Sequence, residues 1–418
     1  MNEKLAPYTI NNKYEFDKFV TQNWNMLNEY IDSKMLQVTV PFYSSIDIRE
    51  SKSKYAPIDN NMYPAGFNNL CSLDQEESIP NFKESILKLG NNIQNVCILT
   101  ESHTKNTFYL DNLFYLRKII IEAGFNVRLI SPDQNLFREN EHFISLLSHS
   151  KFEIIIEKCI VKDDLIILSQ NQSTPIDLLL INNDQSIPFD IDWQKIKTIM
   201  APTPFAGWFN RHKIKHFEYY KNVASAFCHE FSISPDLIQA KFRSLNNIDF
   251  SNKDGLQTLA QKVNSLKDEI SPEQKIFIKA SKGTYGMGIN VVSSGDDILN
   301  MNRKTRNKLN IGKNNIKFTD IIIQEGIQTV IQYDNMPAEI TLYLVGGKSI
   351  GGFMRVNSQK SPDDNLNSRG MVFKKFCISE IRQNQDHKAK EAVYTIIARL
   401  SVLASGHEIN DILSKKEK

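Results

Sequence analysis

The sequence predicts an α/β fold, and two observations carry that prediction. Short apolar strands alternate with an amphipathic helix between residues 93 and 181, and a second series of short strands, interrupted by glycines, begins at Lys275. A turn-rich stretch, MAPTPFAGWFNRHK at 200–213, separates the two and marks a change of domain. The expected division is an N-terminal mixed or parallel α/β region over 1–205, a helical connector that opens the second domain over 206–270, and a strand-rich region over 271–418.

The elements follow in order. Residues 1–35 read as a polar, partly helical arm. LQVTVPFYSSIDIR alternates apolar and polar residues as a half-buried strand does. IQNVCILT at 93–100 is a buried strand, followed by the helix TFYLDNLFYLRKIIIEAG, which Gly124 ends. NVRLIS at 126–131, FEIIIEKCIV and PIDLLLINND are further strands. A helical connection of roughly 18 residues between two strands calls for parallel pairing. Helices are expected from Lys213 to about Leu266, then the strands KIFIKAS, INVVSS, TDIIIQEGI, AEITLYLVGG and SIGGFMRVN. A long helix over roughly 386–404 and a frayed polar tail, DILSKKEK, close the chain.

Composition excludes several classes. Hydrophobic residues are 41% and charged residues 23% of the 418, so the chain is not disordered. Lys+Arg 50 against Asp+Glu 48 leaves a formal charge of +2, too balanced for a dedicated nucleic-acid binder. No run approaches the roughly 18 apolar residues of a membrane span. The N-terminus lacks the apolar core of a signal peptide, so a cytoplasmic location is expected. The five cysteines form no CxxC pair and are expected as reduced thiols. His212 and His216 share a helix face, expected to be solvated or substrate-facing because no third metal ligand is nearby.

The segment IFIKASKGTYGMGINVV at 276–292 carries the most chemical information. An apolar strand bearing Lys279 runs into Gly283, Gly286 and Gly288 and then into another strand. Glycines let backbone N–H groups approach phosphate oxygens, and Lys279 adds a point charge there. Walker A is absent, and a strand rather than a helix follows the glycines, which excludes a dinucleotide fingerprint. HRD and DFG are also absent. A strand lysine before a glycine hairpin is the arrangement of ATP-grasp ligases; the bland alternative is a glycine-rich surface hairpin. The strand DIIIQEGI ends at Gln324–Glu325, where backbone groups suit an adenine edge and a carboxylate suits ribose hydroxyls. Glu339 and Arg355 sit on strands paired through a Gly-Gly turn, and Arg355 suits an anionic substrate or a transferring phosphoryl group. The polar loop 361–370 is placed to cover a site.

A second constellation lies early in the chain. Asp59-x-Asn61 sets two oxygen ligands on one side of an extended strand, a pattern that suits Mg²⁺. Asn68 and Asn69 follow a Pro-Ala-Gly turn and are candidates for holding an amino acid, with Arg49 for its carboxylate. Glu101 lies beyond the strand ending at Thr100, where open α/β sheets form their crevice, and is a candidate for a substrate ammonium. Asn106 is its companion for a carboxylate; helix capping by Ser102 or Thr104 is the alternative use of this segment. Trp208, Arg211 and Lys213 either line a pocket or belong to a domain-linking loop.

Taken together, VPFYSSIDIRE, APIDNNMYPAGFNNL, TESHTKN, AGWFNRHKIKHFEYY, IKASKGTYGMGI and GGFMRVN resemble the ATP-grasp-type glutamate–cysteine ligase family of proteobacteria, over residues 38–375. The resemblance implies an ATP-grasp fold over 206–418, with the 271–418 part holding nucleotide under a glycine lid and substrates and metal held over 1–205. It implies Mg²⁺- and ATP-dependent joining of L-glutamate and L-cysteine to γ-glutamylcysteine, the first step of glutathione biosynthesis. Nucleotide contacts fall at Lys279, Ser281, Gly283, Thr284, Gly286, Gly288, Gln324 and Glu325. Metal ligands fall at Asp59 and Asn61, substrate contacts at Arg49, Asn68, Asn69, Glu101, Asn106 and Arg355, and catalysis at Lys279 and Arg355. No nucleic acid or membrane partner is implied, and the oligomeric state is open, a homodimer among the options. The architecture is also similar to eukaryotic glutathione synthetase, whose glycine loop carries a metal-binding Glu that KASKGTYGMG lacks. Glu408-x-Asn410 is a rival for the metal pair, ranked below Asp59 and Asn61. Another ATP-grasp carboxylate–amine ligase, or a nucleotide-binding module without turnover, remains as an alternative.

Overall fold

The computed structural model describes residues 9–102, 105–250, 252–282, 289–302, 319–383 and 388–416. Three sheets organise it. The parallel sheet runs Phe143–Leu147, Glu153–Lys162, Asn126–Ser131, Asn95–Leu99, Leu178–Ile181 and Ile199–Ala201, with only Phe143–Leu147 antiparallel along this path. Its middle strands are buried on both faces, which explains the unbroken apolar runs at 96–99 and 178–181. Helix Thr107–Glu122 makes the crossover, and Gly124, at φ +100°, closes it in a conformation that L side chains resist.

A second sheet is antiparallel throughout: Met371–Lys375, Lys348–Asn357, Met336–Val345, Tyr43–Glu50 and Tyr55–Asn61. It joins strands from opposite ends of the chain. One face carries Ile46, Ile48, Ile340 and Leu342 and packs on the C-terminal helix Lys388–Ser414 and on helices Lys13–Gln22 and Trp24–Met35. A third, smaller antiparallel sheet holds Phe242–Leu245, Ile321–Glu325, Ile276–Ala280 and Ile289–Val292. Gly283, Thr284, Gly286 and Gly288 lie outside the described residues, as does the glycine lid they were expected to form.

Several expectations change. The closing helix continues through Ser414, so the first half of DILSKKEK is helical rather than frayed. Strand Phe242–Leu245 was hidden among expected helices; only partly buried, it shows no clear alternation. Cys71 and Cys377 are joined by a disulfide across 306 residues, a proximity that spacing along the chain cannot reveal. The other three cysteines are free and buried.

The C-terminal helix is buried over most of its circumference and therefore needs polar partners inside. Arg211 is 2% exposed and reaches Glu408 with Nε at 2.9 Å and Nη2 at 3.1 Å. Its other bonds go to the carbonyl and side-chain oxygens of Asn60, both at 2.8 Å. His216 is buried beside the same carboxylate, Nδ1 3.3 Å from Glu408 Oε2, and is neither solvated nor substrate-facing. Burial would raise the Glu408 carboxyl, but the Arg211 guanidinium and the hydrogen bond to His216 outweigh it and hold it below the usual glutamate range. Asn410 points elsewhere, its Oδ1 accepting from the Thr39 N–H at 3.0 Å. Glu408 and Asn410 thus serve the helix packing rather than a common metal. Glu408→Ala leaves a buried guanidinium without its counter-ion and should cost about 3–5 kcal/mol of stability, read by urea unfolding.

Candidate functional site

The face of the five-strand ladder turned away from the C-terminal helix is polar. Register sets Asn61 opposite Ser45, Asp59 opposite Asp47, Asp47 opposite Thr341, and Glu339 opposite Arg355. Directly opposed residues share a face, so side chains far apart in sequence meet. Arg355 Nη1 lies 2.7 Å from Asp47 Oδ2 and also donates to Glu339. Thr341 donates to Asp47 at 2.8 Å. Arg49 Nε donates to the other Glu339 oxygen at 2.8 Å. Burial would raise the Glu339 pKa, but the two arginines outweigh it and lower it. At Asp47 burial wins over Arg355, and the carboxyl is raised.

The third sheet meets this face through Lys279. Its Nζ donates to Ile58 O and Gln324 Oε1, both at 2.8 Å. Burial pushes its pKa down to about 8, with Lys213 and Arg49 adding to the effect and Asp59 opposing it. Asp59 is partly exposed and paired with Lys213. Burial would raise this carboxyl too, but Lys213 and Lys279 hold it below the usual range. Lys213 opens helix Lys213–Glu230; its N–H binds Ser281 O at 2.8 Å, and its ammonium lies 4.6 Å from the Trp208 ring centre. Lys213 therefore stands at the residue that leads into the glycine stretch.

The structure brings Asp59, Lys279, Gln324, Ser281 and Arg355 together with Asp47, Glu339 and Lys213. Two buried donors here, Gln324 Nε2 and Arg355 Nε, have no hydrogen-bond partner among the described residues. Sequence reasoning missed Asp47, although polar residues at 45, 47 and 49 alternate as one strand face should. It named Lys213 only as a pocket or linker residue.

Other expected site residues are spent on the protein itself. Glu325 is turned inward: both oxygens lie 3.0 Å from Lys54 Nζ, and it also accepts from the Lys241 N–H at 2.8 Å and from Gln274 at 3.1 Å. It has no oxygen left for a ribose. Arg49 is 2% exposed and, besides Glu339, binds the carbonyls of Ile327 and Asp364, at 3.2 and 2.6 Å. It fastens loop 361–370 instead of waiting for a substrate carboxylate. Asn61 Oδ1 accepts from the Tyr63 N–H at 3.0 Å, which leaves one lone pair. Asn106 caps helix Thr107–Glu122, its Oδ1 accepting from the Phe108 and Tyr109 N–H groups at 3.2 and 3.4 Å, so its oxygen is structural.

Glu101 lies on another wall. It lines a cavity of about 460 Å³ at the carboxyl ends of the parallel strands, with Asp133, Asn183 and Asp184, and accepts from the Asp184 N–H at 2.8 Å. A buried polar chain links this wall to the turn before Asn68 and Asn69. Tyr109 OH donates to Asn182 O at 2.9 Å, Asn112 Nδ2 donates to Asn182 Oδ1 at 3.0 Å, and Asn112 Oδ1 accepts from the Gly66 N–H at 2.8 Å. Asn68 and Asn69 form the short turn Phe67–Asn69, where Asn68 donates to Asn69 at 3.4 Å. No described helix is long and apolar enough to cross a membrane.

Comparison with known proteins places these features. Residues 17–409 match the family model of glutamate-cysteine ligase. A solved structure from Methylobacillus flagellatus KT, that of a candidate gamma-glutamylcysteine synthetase, is 29% identical with a TM-score of 0.85, over 95% of this chain and 96% of that one. A glutathione synthetase-like effector from Globodera pallida is 12% identical over 85% of this chain and 82% of its own, and its TM-score of 0.39 carries no argument. No curated protein matches. Agreement over nearly the whole length, in sequence model and in fold, settles the family: the chain belongs to the glutamate–cysteine ligases, enzymes that form an acid–amino-acid amide bond.

Proposed function

We propose that this ligase joins the γ-carboxylate of L-glutamate to the amine of L-cysteine, at the expense of ATP, on an ATP-grasp fold. The carrying observation is the pair of cations Lys213 and Lys279 around Asp59, with Arg355 on the neighbouring Asp47, beside the entrance to the glycine stretch. A carboxylate and an amine do not condense in water unaided. The γ-carboxylate attacks the γ-phosphorus of ATP, the bond to the bridging oxygen breaks, and ADP leaves. The cysteine amine then attacks the acyl phosphate carbon, phosphate leaves, and the amine loses its proton. Such chemistry needs placement and neutralised charge more than covalent help.

Lys213 and Lys279 are set to neutralise phosphate oxygens. Arg355, held by Asp47 and Glu339, presents its unpartnered Nε as a fixed donor beside the reacting groups. The oxygen donors of Asp59 and Asn61 fit Mg²⁺: Asp59 is partly exposed, and Asn61 retains a lone pair. When bound there, the ion would withdraw charge from the triphosphate. Glu101, at the cavity mouth, is the group we assign to a substrate ammonium.

Incubation with Mg-ATP, glutamate and cysteine should release ADP and γ-glutamylcysteine in equal amounts, and Lys279→Met should lower that rate by about 10²-fold or more. ADP release only with a different amino-acid pair would overturn the substrate assignment. Asp59→Asn should raise the magnesium concentration needed for half-maximal rate, whereas a residual-activity assay of Glu408→Gln should show no such shift. Lys279 is charged below its folded pKa of about 8 and neutral above it. ATP affinity, measured by calorimetry without divalent metal, should therefore fall as pH rises through 8, and Lys279→Met should remove that step.

A further inference from the structure

The parallel sheet ends in an unguarded strand. Phe143–Leu147 is the edge of its path and, among the described residues, pairs only with Glu153–Lys162. The Lys158 N–H binds His142 O, and the Ser148 N–H binds Phe152 O, so even-numbered backbone groups face the sheet. The N–H and C=O groups of Phe143, Ser145 and Leu147 consequently point outward. Soluble proteins blunt such edges with proline, lysine, bulges or very short strands. The opposite edge follows that rule, since Ile199–Ala201 is three residues long and is followed by Pro202. So does Met371–Lys375 in the antiparallel sheet, which carries Lys374 and Lys375. Phe143–Leu147 has none of these devices, and no register shift interrupts its pairing.

Its side chains are apolar on the outer face as well. Phe143 is 54% exposed and Leu147 60%, and Ile155, opposite Ser145 on the neighbouring strand, is 46% exposed. The order of residues is self-complementary about Ser145. Running antiparallel to itself, FISLL sets Phe143 against Leu147 and Ile144 against Leu146 of the other copy. The flanks agree in charge: leaving His142 and His149 aside, the preceding turn, with Arg138, Glu139 and Glu141, is net acidic, whereas the following turn carries Lys151. A two-fold axis through Ser145 brings each acidic flank beside a basic one.

We infer that Phe143–Leu147 is a docking edge for a second copy of this chain, which extends the parallel sheet across a two-fold axis. The union supplies about six backbone hydrogen bonds, two for each of three opposed pairs. It also covers Phe143 and Leu147 from both copies. Such an isologous contact closes on itself, so the assembly stops at a dimer. This edge belongs to the sheet that carries Glu101, and the site stays complete within each chain.

Sedimentation of the full-length protein at micromolar concentration tests the inference, with three variants alongside. Ser145→Pro removes an outward N–H that no bond among the described residues uses, and Leu147→Lys adds a charge to the apolar strip. Val372→Lys does the same on the other exposed edge and serves as control. The wild type and Val372→Lys should sediment as two chains. Each folded edge variant should show a dimer dissociation constant raised tenfold or more. If Ser145→Pro fails to fold by circular dichroism, Leu147→Lys alone decides. A single-chain wild type, a dimer that survives in every folded edge variant, or one lost in Val372→Lys overturns the proposal.

Discussion

Burying Arg355 is the constraint around which this molecule is arranged. A guanidinium taken out of water is tolerable only where carboxylates meet it in good geometry. Here Asp47 and Glu339 do so from two neighbouring strands, and Arg49 ties the second oxygen of Glu339. Each charge compensates the next, so removal of one would strand another. The same lattice aligns the strands of the antiparallel sheet, because these pairs form only in the observed register. Rigidity in the site and correctness of the fold thus depend on one set of contacts.

The second cluster works differently. Lys213, Lys279 and Asp59 carry an excess of positive charge, and burial already pulls Lys279 toward neutrality. An incoming anion relieves that tension, which a carboxylate from the protein could have relieved permanently. Under the proposed reaction, leaving it unrelieved keeps the site prepared for phosphate. The helix that begins at Lys213 contributes to the same corner through the Ser281 carbonyl, so the connector and the smaller sheet are coupled at the chemistry.

Much of this was legible in the sequence for identifiable reasons. Strand Asn126–Ser131 and helix Thr107–Glu122 are bounded by glycine and asparagine signals, and local chemistry alone sets such ends. Lys279 stood out because its strand runs into glycines, and Glu339 with Arg355 because a tight turn pairs their strands. What stayed hidden depends on distant partners. Glu325 looks like a free carboxylate until Lys54 is found against it, 271 residues away. Arg211 reads as a pocket or linker residue, and His216 as solvated or substrate-facing, until the closing helix supplies Glu408. The use of Asn106 Oδ1 as a helix cap is local, and the residue type itself announces it.

The antiparallel sheet has one more consequence, for how the molecule comes into being. Asp47 and the Thr341 that completes it are 294 residues apart. A chain emerging from the ribosome therefore presents Tyr43–Glu50 and Tyr55–Asn61 long before Met336–Val345 has been made. The parallel sheet, whose strands lie within a single stretch of chain, is able to assemble first. Under the proposed reading the ligase site is completed last, and a truncated translation product holds a finished-looking α/β half without Glu339 and Arg355.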